Sequence, residues 1–378
     1  MTIIIFLLVL SLLILVHEFG HFIAAKRSGV RVFEFALGFP PTLYKKTVGG
    51  TQYLLNALPF GGYVRLLGEN GEEDRGGEAE NGNTEESLPD NENFSKKSPI
   101  IKTYILSAGV IMNILLAWLL FSICLMFGYP SATSELKEGH ERYVINESSI
   151  VTYVVPDSPA DSAGILPSDT LLSIKDTKNS LEIESAEDLG AFISESEDDE
   201  FILSIMRAGE EKEVSVPTSL TLESSDGKKA IGVSSTDVSV LRYPVHRAVY
   251  EGAVWTINAT VQTVGGLWGL FSDAIRGEGD LSNVSGPVGI VNLVGDAYTI
   301  GMVYLLAFTA IISINLAIIN LLPIPALDGG RILFVWIEAL KGSPIAMKTQ
   351  LIANGISFAL LILLMLVISI NDVKNLLS

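Results

Sequence analysis

Residues 14–26 read ILVHEFGHFIAAK, two histidines and a glutamate set inside an apolar run that begins at residue 2. About 20 apolar residues suffice to cross the hydrocarbon core of a bilayer. An ionisable side chain at mid-span costs roughly 2.5–3.5 kcal/mol on insertion scales, so three polar groups this close need a compensating partner. In a helix, His17 and His21 are four residues apart and project from one face. Two imidazoles at that spacing can hold one Zn²⁺, with Glu18 beside them as a general base. On a soluble helix the same string is often plain solvated surface, a reading the apolar setting weakens. Catalytic zinc takes three protein ligands and leaves a position open, so a third ligand must come from elsewhere at similar depth.

The rest of the chain agrees with a membrane setting. Of 378 residues, 48% are hydrophobic and only 18% charged, and mean hydropathy is +0.42. The length allows two or three modules. Apolar runs at roughly 2–25, 100–128, 301–322 and 350–370 read as four transmembrane helices, which makes this a polytopic α-helical membrane protein. The first run lacks a basic n-region and is followed by Lys26 and Arg27, so it is expected to be retained as a helix. A formal charge of −18 does not argue for nucleic acid as a partner, because an acidic surface repels phosphate, and none is expected. Cys124 is the only cysteine; no intrachain disulfide is possible, and it reads as a small buried hydrophobe.

Between the runs lie polar segments of different character. Residues 31–68 include TQYLLNALPFGGYVRLLG, aromatic and β-branched residues broken by Pro59, Gly61 and Gly62, a pattern of short strands and a hairpin-like bend. Residues 69–93 are acidic, rich in Gly and Asn and nearly free of apolar residues, and are expected to be a disordered loop. Residues 131–244 carry strand, turn, helix and strand signals in the order of one compact domain of about 80–100 residues. Residues 245–276 mix Trp, Val and Leu with His246, Arg247 and Glu251, and read as an interfacial amphipathic helix leading into a connector up to residue 300. Lys and Arg crowd the segment between spans one and two, and Arg331, Lys341 and Lys348 lie between spans three and four. Both segments should be cytoplasmic, and 131–300 extracytoplasmic.

The third span supplies a candidate for the third ligand. NLLPIPALDGG, residues 320–330, closes span three, and Pro323 and Pro325 should break the helix there. Irregular backbone at membrane depth is tolerated where protein or a water-filled cavity covers it. Asp328 then emerges near the cytoplasmic end of span three, the depth of His17 and His21 in span one. Were 245–276 to cross as well, span three would invert and the depths would disagree. The implied reaction is hydrolysis of a peptide bond, with the ion acidifying water and polarising the carbonyl and Glu18 moving the proton. Asn320 could hold the substrate backbone or an oxyanion, or bond the proline-disrupted backbone.

In order along nearly the whole chain, these residues resemble the site-2 protease family of intramembrane zinc metalloproteases, in its bacterial regulated-proteolysis branch. HEFGH opens the pattern; SAGVIMN (107–113) is similar to the family's AGPxxN element; SGPVGI (285–290) and NLLPIPALDGG complete it. The resemblance implies zinc on His17, His21 and Asp328, Glu18 as catalytic base, and Asn320 as a substrate-binding residue, with Asn113 a further candidate. It implies a membrane-re-entrant β element around Phe60, Gly61, Gly62 and Tyr63, which would clamp an unwound substrate by β-addition. It also implies one extracytoplasmic PDZ-like domain at about 140–220, binding a substrate C-terminus or filtering by size. The expected substrates are single-pass membrane proteins, such as anti-sigma factors or signal-peptide remnants, already cut once by another protease, in a bacterial inner membrane. Two positions depart from the pattern: Val110 replaces a proline, and Ser168 stands where a PDZ turn usually has glycine before Asp169.

Two other classes fit the sequence less well. A membrane-anchored PDZ adaptor has no need of Glu18. A transporter using the same three ligands would show paired broken helices in two related halves, and the halves here do not resemble each other.

Overall fold

The computed structural model describes residues 1–69, 90–132, 140–207, 209–218, 229–277 and 286–377. Its helices are α1 (Thr2–Arg27), α2 (Pro99–Phe127), α3 (Pro159–Ser162), α4 (Ala186–Glu195), α5 (Val245–Arg276), α6 (Pro287–Ile300), α7 (Met302–Leu321), α8 (Asp328–Lys341) and α9 (Met347–Leu377). Its strands are β1 (Val32–Val48), β2 (Thr51–Leu66), β3 (Tyr129–Ala132), β4 (Val144–Val154), β5 (Thr170–Lys175), β6 (Ser180–Glu182), β7 (Glu200–Arg207), β8 (Glu210–Pro217) and β9 (Val233–Leu241). Among the described residues four helices are long and apolar enough to cross a membrane: α1, α2, α7 and α9. They fall on the four apolar runs of the sequence, and α5 is not among them. Most of the acidic 69–93 stretch, residues 70–89, and Ser285 of SGPVGI lie outside the described residues.

The chain divides into two compact units. The first comprises residues 1–121, 252–298 and 305–378. Helix α1 ends at Lys26 and Arg27, cations suited to the negative end of the helix dipole. The chain turns at Gly29 with φ +64° and enters β1. Although β1 and β2 form one long pair, their register folds it into four rows. Glu34 to Leu37 face Gln52 to Leu55 on one side and Arg65 to Gly62 on the other. Tyr44 to Val48 pair in turn with Leu55 to Thr51. Residues 62–66 are therefore an edge row, and residues 44–48 the opposite edge. The fold-back depends on Gly38, at φ +81°, where a Cβ would lie 2.4 Å from the Leu58 carbonyl oxygen. A core of Ala24, Ala25, Val32, Leu66, Ile105 and Val335 packs the sheet base against α1, α2 and α8. Helix α6 begins at the SGPVGI segment, where Asp372 of α9 accepts from the amides of Gly286 (3.1 Å) and Gly289 (2.8 Å). These are orphan donors of a helix N-terminus, and the carboxylate satisfies them.

The second unit comprises residues 122–251 and 299–304. Its sheet runs in the order β3-β9-β4-β5-β7-β8, with β6 on β5. It takes in β3 and β9, which lie outside the 140–220 stretch marked by the sequence. On β7, Phe201, Leu203 and Ile205 alternate inward and are fully buried, each worth about 1.5–3 kcal/mol by area. Helix α4 starts with a capping box between Ser185 and Asp188. Asp169, at 1% exposure, accepts from Nε and Nη2 of Arg207, both at 2.6 Å, and from the Leu166 amide at 2.9 Å. Ser168 sits at φ +75°, so the turn keeps the left-handed conformation that glycine would adopt freely.

Candidate metal centre and active site

The HExxH residues lie on one face of α1, as the i,i+4 spacing dictates, and His17 and His21 are buried. Asp328 reaches them because α7 stops at Leu321, short of the two prolines. The chain then makes a tight turn, with the Ile324 amide bonding to the Leu322 carbonyl and the Leu327 amide to that of Ile324. Helix α8 starts at Asp328. Its first turn folds back onto this bend so closely that a Cβ on Gly329 would lie 2.2 Å from the Leu321 carbonyl oxygen. On Gly330 it would lie 2.2 Å from that of Ile324. Only glycines fit after the aspartate.

Three donor atoms converge. Asp328 Oδ2 is 3.1 Å from His17 Nε2 and 3.2 Å from His21 Nε2, and the two Nε2 atoms are 3.2 Å apart. Ligand distances of about 2.0–2.1 Å give a tetrahedral zinc site edges of about 3.3 Å, so the triangle is one face of such a site. Burial works against the Asp328 charge, but hydrogen bonding with His17 and His21 outweighs it and holds the carboxyl below the ordinary carboxylate range. An anion and two imidazoles with no bulk between them fit a small, hard-to-borderline divalent cation.

Helix α2 shapes the space. Gly20 of α1 packs onto α2 with its Cβ position 2.3 Å from the Ala108 carbonyl oxygen, which sets a close approach of the two helices. At Gly109 a Cβ would lie 2.5 Å from His21 Nε2 and 2.8 Å from His17 Nε2, filling the place where the donors meet. The Ile105 carbonyl lies 2.9 Å from His21 Nδ1. It can only accept, so Nδ1 carries a proton, and Nε2 is the ring nitrogen left facing Asp328 and the place of a cation.

Glu18 is half-buried and lines two cavities that meet at the donor cluster. One, of about 320 Å³, runs past His21 and Asp328 to the edge row at Tyr63 to Leu66. The other, of about 640 Å³, is walled by His17, Asn320, Leu327 and Phe358. Gly62 touches the site directly: a Cβ there would lie 3.3 Å from Glu18 Cγ. Tyr63 donates to Glu34 Oε2 at 3.1 Å. Gly61 adopts φ +104° under the Phe39 ring, and the Phe60 side chain is outside the described residues. Asn113 lines neither cavity; it is fully buried behind His17, with Nδ2 3.3 Å from His17 Nδ1. The structure thus brings His17, Glu18, His21, Asp328, Asn320 and Tyr63 to the cavities, places Gly62 against Glu18, and sets Asn113 apart from the cavities.

Sequence reasoning missed three participants. The Ile105 carbonyl is a backbone group, which no side-chain pattern reveals. Gly109 lies inside the quoted SAGVIMN string, yet its contact with the imidazoles needs the helix packing. Glu69 accepts from the Leu66 amide of the edge row at 3.2 Å and pairs with Arg331, one turn beyond Asp328. In the sequence it is only the first of many acidic residues.

The profile of peptidase family M50 matches residues 5–364. A Clostridium perfringens protein whose name places it among zinc metalloproteases is 33% identical over 374 residues, 99% of this chain and 98% of its own length. The zinc metalloprotease RasP of Oceanobacillus iheyensis is 30% identical, covering 99% of each chain. The regulator of sigma-W protease RasP of Bacillus subtilis is 28% identical, again with 99% of each chain covered. Every residue of the donor cluster and of both cavities lies within the matched span, and the chain belongs to peptidase family M50, the site-2 protease family.

Proposed function

We propose that the chain is a zinc-dependent intramembrane endopeptidase that cuts single-pass membrane proteins already trimmed by another protease. The observation that carries this is the buried meeting of His17, His21 and Asp328, from α1 and α8, at a cavity that Glu18 also lines. Those three side chains would hold the ion. Bound there, zinc supplies Lewis acidity toward a scissile carbonyl and makes water more acidic. Glu18 takes the proton of the attacking water and returns it to the leaving amine. The Asn320 amide, on the wall of the larger cavity, donates to the oxygen that gains negative charge.

A helical substrate must unwind before its carbonyl can reach this site. The edge row 62–66 serves as the docking strand, since it pairs on one side only among the described residues and lines the smaller cavity. Its Leu66 amide, which donates to Glu69, would turn to a substrate carbonyl. This β element is the re-entrant segment of our reading. Helix α5 lies at the membrane interface: Ile257, Val261, Val264, Trp268, Phe271 and Ile275 form an exposed apolar stripe along it, suited to lipid. The PDZ-like sheet unit is extracytoplasmic, where it screens substrates by size or by their C-termini, and the catalytic site opens toward the cytoplasm of a bacterial inner membrane.

The test replaces Glu18 with Gln in the full chain and follows cleavage of a model single-pass substrate together with zinc content. The variant is expected to keep stoichiometric zinc and to lose cleavage by about 10²–10⁴-fold. Undiminished cleavage removes Glu18 from the mechanism, and a wild-type chain without zinc removes the centre itself.

A further inference from the structure

We propose that Asn113 is a positioning residue that sets the tautomer of His17 and thereby makes its Nε2 available to the metal; this rests on the metal reading above. The side-chain amide faces His17 Nδ1, with Nδ2 at 3.3 Å, while Asn113 Oδ1 is buried and has no partner among the described residues. Asn113 is fully buried, and its backbone carbonyl accepts from the Ser313 hydroxyl of α7 at 2.8 Å, so the residue is fixed from two sides.

An amide can meet an imidazole nitrogen in two ways, related by a half-turn that exchanges its oxygen and nitrogen. When NH₂ donates to Nδ1, the ring proton sits on Nε2 and is directed at Asp328 Oδ2, 3.1 Å away. That arrangement pairs the ring with Asp328 but denies a cation the His17 lone pair. When Oδ1 accepts, the proton moves to Nδ1 and the Nε2 lone pair points at the donor cluster. The two arrangements are tautomers of one ring and differ only in which nitrogen carries the proton. His21 has no such choice, because its Nδ1 faces the Ile105 carbonyl, an acceptor only. The centre thus has one ligand permanently set and one set by an amide. In the loaded state Asn113 gives His17 the hydrogen-bond acceptor that metal-ligating histidines require behind the ring.

The acceptor role makes a sign prediction. Asn113→Asp can only accept once ionised, and is expected to keep or tighten zinc binding. Asn113→Leu removes the acceptor while keeping the branched shape and is expected to weaken zinc binding about 10–100-fold. Affinity is read on the full-length chain in detergent by competition with a chromophoric chelator, with the melting temperature of the metal-free chain followed alongside. A ¹⁵N-histidine spectrum of the zinc-loaded wild type should show the His17 proton on Nδ1. Loss of zinc binding in Asn113→Asp would mean that the amide donates, and would overturn the proposal even if Asn113→Leu did not fold. Zinc affinity in Asn113→Leu within about threefold of wild type would overturn it as well, against the 10-fold minimum expected of such an outer-shell group. A wild-type chain with no zinc affinity overturns the metal reading instead, and this proposal with it.

Discussion

Replacing Gly109 with alanine adds a single methyl group where the two imidazoles meet. Its carbon would stand 2.5 Å from His21 Nε2, 2.7 Å from His17 Cε1 and 2.8 Å from His17 Nε2. Non-bonded heavy atoms settle at about 3.5 Å, so the rings must retreat by about 0.7–1 Å. His21 is tied to the Ile105 carbonyl at 2.9 Å, and a shift of that size stretches the bond past the length at which it still counts as one. Zinc–ligand distances tolerate about 0.2 Å, several times less than the displacement required. We therefore expect Gly109→Ala to lower zinc affinity by at least about 100-fold, more than the loss of one outer-shell partner, and to abolish cleavage. The fold should survive, because overpacking costs about 1–3 kcal/mol and alanine recovers about 1 kcal/mol of helix propensity over glycine. Zinc per chain, measured by mass spectrometry on protein purified in detergent, is the assay. Gly190→Ala is the control: it lies within α4 with nothing within 4 Å of its Cβ position, and should be neutral or stabilising by up to about 1 kcal/mol. A Gly109→Ala chain with stoichiometric zinc and wild-type cleavage would refute the geometry of the donor cluster.

Two further outcomes concern the sheet unit. Arg207→Ala leaves the Asp169 carboxylate with only the Leu166 amide as partner among the described residues. A loss of about 3 kcal/mol is expected, at the low end for a broken buried pair because Arg207 is partly exposed. Amide exchange of β5 and β7 in the full chain measures it, and unchanged protection would show that the pair carries no stability. Ser168→Gly relieves a side chain at φ +75° and should stabilise the same unit by up to about 1 kcal/mol, read as slower exchange at Leu171 and Ile205; faster exchange there would contradict it.

Much of the centre was legible because its physics is local or is set by the bilayer. The spacing of His17 and His21 fixes a shared helix face, and matching their depth to the end of span three picks out Asp328, which the structure brings within 3.2 Å of both rings. The four spans were legible for the same reason: a long apolar run has few alternatives in a chain of this length. The four-row folding of β1 and β2 was not, because residues 32–37 choose their partners on both sides by non-local pairing, and their alternation is compatible with several registers. Nor was β9, whose stretch VSSTDVSVL carries too weak an alternation to stand out as a strand. Glu69 shows a third limit: its partnership with Arg331 joins positions 262 apart in sequence, and charge alone distinguishes it from none of its acidic neighbours.

The SAGVIMN segment shows how far spacing can carry once the packing is known. Ile105, Gly109 and Asn113 stand at i, i+4 and i+8, one stripe along α2. That stripe meets the i,i+4 pair of α1 in reversed order: Ile105 serves His21, Asn113 serves His17, and Gly109 leaves room beneath both. Reversed order is what two consecutive spans joined by a return segment must give, so the register of α2 against α1 and the orientation of the two imidazoles are a single constraint. Moving any one of these three positions by one residue turns it about 100° around the helix, away from its imidazole. The chain therefore builds its donor cluster from two facing stripes, an imidazole stripe on α1 and a supporting stripe on α2, and closes it with a carboxylate delivered by the bend before α8.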